Sequence, residues 1–91
     1  MVEKIKEFMK AHANTAYSLY GYDIQVPARA NRLIVKKGRF IVFEIEEKED
    51  KRLMIHYARD DLPYVVSGYA NEFREASIHE TALAALKKIL N

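Results

Sequence analysis

The 91 residues contain no cysteine, which removes disulfides, thiolate nucleophiles and cysteine metal sites from consideration and favours a cytoplasmic setting. Long apolar runs are missing too. The longest, Ala82 to Leu86, is far short of the roughly 20 residues that cross a bilayer, so no membrane association is expected. The opening "MVEKIKEFMK" interleaves charge with apolar residues and lacks the apolar stretch of a signal peptide. Neither sign of charge dominates: 15 Lys and Arg against 13 Asp and Glu leave +2, too balanced to mark a nucleic-acid binder on charge alone. His12, His56 and His79 show no short metal-ligand spacing such as i and i+4, and no repeat, low-complexity tract or linker interrupts the chain. No cofactor, metal or catalytic residue is therefore assigned.

What is present describes one folded domain. A 49% hydrophobic fraction with 31% charged residues spread along the chain is the profile of a globular protein, and a chain of this size buries about 60 to 65% of its unfolded surface. Val2, Ile5, Met9, Ala13, Ala16 and Tyr20 recur at helical spacing, predicting a helix from Val2 to Tyr20 with Gly21 as its stop. Tyr22 to Val26 reads as a short extended piece before Pro27. Leu33 to Val35, Arg39 to Glu46 and Arg52 to Ala58 read as strands rich in Ile, Val, Phe and Tyr, and Tyr64 to Ser67 as a fourth. Ser77 with Glu80 forms a capping box, and Ile78, Ala82, Leu83, Leu86, Ile89 and Leu90 make the apolar stripe of a final helix. The expected fold class is α+β: an N-terminal helix, an antiparallel meander of three to four strands, and a C-terminal helix, with both helices on one face of the sheet.

Register follows from segregating apolar from polar side chains, because a slip of one residue sends every side chain to the opposite face. A three-residue loop Lys36-Lys37-Gly38 sets Val35 opposite Arg39 and Leu33 opposite Ile41; a five-residue loop Glu47 to Lys51 sets Glu46 opposite Arg52. One face then carries Leu33, Val35, Ile41, Phe43, Ile45, Leu53, Ile55 and Tyr57, and the helices are expected to cover it. The other exposes Ile34, Phe40, Val42, Met54 and His56. Either Tyr22 to Pro27 or Tyr69 to Ala76 folds over that patch, or the patch meets a protein partner or a second copy of the chain as a homodimer.

Arg29, Arg32, Lys36, Lys37 and Arg39 supply five bases and no acid over eleven residues, whereas Glu44 to Arg52 holds five acids and three bases. Residues 38 to 47 span about 30 Å of strand, roughly three Debye lengths at physiological salt, so the acids do not cancel the basic hairpin. That segment is the nucleic-acid candidate, with Phe40 the one aromatic placed beside it. Fainter signals are His56 with Asp60 as an acid/base pair, and Glu46-Glu47-Lys48 as the acid-x-lysine half of a metal-dependent nuclease strand with Asp23 as the missing acid.

A helix, a three-stranded meander and an alanine-rich final helix, "Thr81-Ala82-Leu83-Ala84-Ala85-Leu86", together resemble the double-stranded-RNA-binding domain. The resemblance implies phosphate contacts from lysines opening the last helix, where this chain has Ser77, Ile78, His79 and Glu80. Compact α+β chains without motifs also look like accessory or inhibitor proteins of phages and mobile elements. The leading expectation is a non-enzymatic binding module for a protein partner, acting through the open sheet face and the basic hairpin. Nucleic-acid binding by Arg29 to Arg39 is the alternative.

Overall fold

Between Thr15 and Val26, apolar Tyr17, Leu19, Tyr22, Ile24 and Val26 alternate with Ala16, Ser18, Asp23 and Gln25, leaving only Tyr20-Gly21 at the centre. Such a pattern makes a hairpin. In the computed structural model, which describes residues 2–59, 61–70 and 80–91, β1 (Thr15–Leu19) and β2 (Tyr22–Val26) pair with Leu19 opposite Tyr22. Tyr20 at φ 53° and Gly21 at φ 81° give the two left-handed residues of a type I′ turn. The helix expected to reach Tyr20 therefore stops at Ala11: α1 is Val2–Ala11, and left-handed Asn14 (φ 59°) turns the chain into β1. The Thr15 hydroxyl secures the exit by donating to the His12 carbonyl.

The sheet continues through β3 (Arg32–Lys37), β4 (Phe40–Glu47), β5 (Leu53–Ala58) and β6 (Val65–Tyr69) before α2 (Glu80–Leu90). Among the described residues six strands in the order β1-β2-β3-β4-β5-β6, all antiparallel, replace the three to four expected. Because six strands separate the helices, the element order that resembles the double-stranded-RNA-binding domain is not the order of this chain. The capping box of Ser77 with Glu80 and the expected helix start at Ile78 lie outside the described residues.

Registers also differ from expectation. The β3–β4 turn has two residues, Gly38-Arg39, with Lys37 opposite Phe40; Gly38 takes φ 62°, which glycine adopts without a Cβ clash. Val35 pairs with Phe43 and Leu33 with Ile45, whereas Lys36 pairs with Ile41, leaving Val42 as the extra residue of a β-bulge. Across β4–β5, Glu47 faces Leu53 and Ile45 faces Ile55. Ile41, expected in the core, is instead 46% exposed, and Val42, expected on the open face, is 8% exposed.

The rest of the inner face is as its alternation implies. Leu33, Val35, Phe43, Ile45, Leu53, Ile55 and Tyr57 are buried and join Ile24 and Val26 from β2 in a single cluster. Ile5 and Met9 of α1 and Ala82, Ala85, Leu86 and Ile89 of α2 complete it. Tyr22 to Val26 lies within the sheet as β2 and does not fold over the outer face; of the other candidate cover, residues 71–76 lie outside the described set.

Candidate interaction surface

The bulge decides what the β3–β4 tip presents. Cross-strand partners share a face, so Ile41 joins Lys36 on the outer side of the sheet, and the twist that accompanies a bulge opens the hairpin end. A groove of about 750 Å³ results, running from Lys37, Arg39, Phe40, Ile41 and Val42 across Glu44 and His56 to Ala58 and Val65, with Tyr57 behind. Apolar side chains are left in water along it: Phe40 is 78% exposed and Val65 59%. The Lys37 ammonium sits 5.7 Å from the centre of the Tyr22 ring, and neither Lys36 nor Arg39 forms an ion pair with a described residue.

Away from the tip the outer face is occupied by polar side chains that satisfy one another. Arg32 donates through two nitrogens to Glu44. Glu46 accepts from Lys48 Nζ at 2.9 Å and from His56 Nε2, also at 2.9 Å. Since a carboxylate only accepts, Nε2 carries a proton and donates it to Glu46, and Nδ1 lies 2.6 Å from the Ser67 hydroxyl. The hydrogen bond from Lys48, then that from His56, holds the Glu46 carboxyl below the usual carboxylate range, and Glu46 in turn raises Lys48. The Arg52 guanidinium lies 3.5 Å over the centre of the Tyr69 ring.

Five side chains were expected to form one partner surface, and the structure divides them. Phe40, Val42 and His56 line the groove, whereas Ile34 borders shallow concavities over β1–β3, and Met54 pairs with Glu46 and Tyr69 toward the acidic loop. The five cations also part. Lys36, Lys37 and Arg39 gather at the tip, while Arg29, in the β2–β3 turn, and Arg32 lie at the opposite end of β3, where the Glu47 amide donates to the Asn31 carbonyl at 2.8 Å. Arg32 is moreover spent on Glu44.

Sequence reasoning missed Ile41 and Val65. Ile41 was hidden by an unmarked bulge, and Val65 comes alongside only through the β5–β6 register, in which it faces Ala58. Asp23, the expected missing acid of the nuclease pattern, lies opposite Lys36 while Glu46 lies opposite Arg32, so β3 separates them by most of its length. No group of three or more metal-ligating side chains occurs among the described residues, and Asp60 falls outside them. No described helix is long and apolar enough to cross a membrane. Comparison with protein-family models, with curated proteins and with solved structures gave no significant match.

Proposed function

We propose that this protein is a small non-enzymatic binding module that engages another protein through the groove at the β3–β4 tip. The observation that carries the reading is the exposure of Phe40, Ile41 and Val65 around one concave surface at one end of the sheet. Exposed apolar side chains grouped in a groove are the usual mark of a partner site, whereas isolated ones are ordinary surface. An aromatic anchor, Phe40, with a basic rim also matches the residue types enriched in protein interfaces. Such a module acts by covering part of its partner, the mode of an inhibitor or accessory protein.

The Ser67–His56–Glu46 chain contains the residue types of a hydrolytic triad, but Ser67 does not line the groove, and its hydroxyl stands on an open sheet face. We read it as the brace that fixes the His56 ring at the groove wall. Nucleic-acid binding retains three cations at the tip instead of five along a strip, with Phe40 for stacking, a small footprint for phosphate recognition.

Replacing Phe40 and Val65 together with Ser is expected to abolish capture of protein partners from the native cell, with each residue worth about 2 kcal/mol, or roughly thirty-fold in affinity. Both side chains are exposed, so the melting temperature should hold. Capture that disappears on nuclease treatment, and on reversing Lys36, Lys37 and Arg39 to Glu, would establish the nucleic-acid reading in its place.

A further inference from the structure

Resting on the proposed protein-binding role, we infer that the groove takes an acidic, apolar peptide segment: one or two hydrophobic side chains flanked by carboxylates. The inference comes from which charges in the groove are already spent. Among its described lining residues, Glu44 is the one carboxylate, and Arg32 holds it. His56 is held between Glu46 and Ser67. The charges left available at the rim are Lys37 and Arg39, with Lys36 adjacent, and all are positive. Beneath them Ile41, Val42 and Val65 are aliphatic and, among the described lining residues, Phe40 is the one exposed ring, so successive bases would find no stacked platform while a hydrophobic side chain finds a floor.

Dimensions agree. From β4 to β6 is two strand spacings, about 10 Å, which an extended peptide crosses in about three residues. One apolar anchor in the middle of such a segment reaches the floor while its neighbours' carboxylates reach the tip cations. A basic segment would meet uncompensated like charge at the same positions, which discriminates partners as well as attracting the right one.

A random twelve-residue peptide library displayed on phage, selected against the full chain, tests this. The expected winners carry at least two acids around an aliphatic or aromatic residue, lose binding more than tenfold to the Phe40→Ser protein, and weaken more than tenfold when their acids are changed to Lys. Selection against the Lys37→Glu, Arg39→Glu double variant should instead enrich basic peptides; Arg39→Glu alone, which leaves the Lys37 contact with Tyr22 intact, guards against a folding defect in the double variant. Peptides that depend on Phe40 yet show no acidic bias would overturn this inference and leave the binding-module reading standing. An absence of any Phe40-dependent peptide, or preferential binding of a twelve-nucleotide RNA at the tip, would overturn both.

Discussion

Tyr20 occupies a backbone conformation that suits few residues. At φ 53° in the first central position of a type I′ turn, its Cβ crowds the backbone at a cost of roughly 1 to 2 kcal/mol, and its ring is 64% exposed, so little packing offsets the strain. Asparagine tolerates this region. Tyr20→Asn is accordingly expected to stabilise the fold by about 0.5 to 1 kcal/mol, read as a higher urea midpoint; an unchanged or lower midpoint would show that the tyrosine ring contributes contacts worth more than its strain. Glu46 offers a second test at this scale. Its carboxyl is lowered by Lys48 and His56, so the stabilisation it gives is complete above the ordinary carboxylate range and is lost as pH falls through its folded value. The pair partners are substantially exposed, which limits the effect: Glu46→Gln should cost about 0.5 kcal/mol at neutral pH. The gap to the parent should close as pH falls through the lowered folded value, where Glu46 is itself protonated. A gap that persisted in acid would assign the loss to packing.

At the level of elements, the instructive feature is that wrong pairings produced a largely right core. Both expected hairpin registers slip from the observed ones by even numbers: the expected partner of Leu33 is Ile41 and the observed one Ile45, and the expected partner of Ile45 is Leu53 and the observed one Ile55. An even slip keeps every side chain on its face, because the strand repeat is two residues. Past the bulge the parity changes: Ile41 takes the outer side with Lys36, Phe40 shares the opposite side with Lys37, and Val42 is buried. The first helix overran for a related reason. Ala13, Ala16 and Tyr20 satisfy a helical period, but Tyr17, Leu19, Tyr22 and Ile24 satisfy a strand period over the same stretch, and the left-handed turn at Tyr20-Gly21 decides between them. The helices themselves hold the sheet through few large side chains. Met9→Ala and Leu86→Ala, each removing a side chain about 1% exposed, should each cost about 2 to 4 kcal/mol in denaturant unfolding, in contrast to the silent Phe40→Ser. A loss below 1 kcal/mol at Met9 would mean that α1 is only loosely docked.

Across the whole molecule, the antiparallel meander sorts charge in a way that no stretch of sequence displays. Arg29 and Arg32 are near neighbours of Lys36 and Lys37 in the chain, yet β3 carries them to opposite ends of the sheet, and Arg32 is neutralised by Glu44 across the β3–β4 pair. The continuous basic strip thus becomes a three-cation tip beside an apolar groove. Sequence alone determined the α+β class, the inward set from Leu33 to Tyr57 apart from Ile41, and the apolar face of the last helix, because these depend on local periodicity and on the single fact that apolar side chains leave water. Tertiary structure decided the strand count, the bulge at Val42, and the meeting of Phe40 and Ile41 with Val65. Those depend on how strands pair across the sheet, where competing registers of the same parity bury the same residues and only the packed whole selects among them.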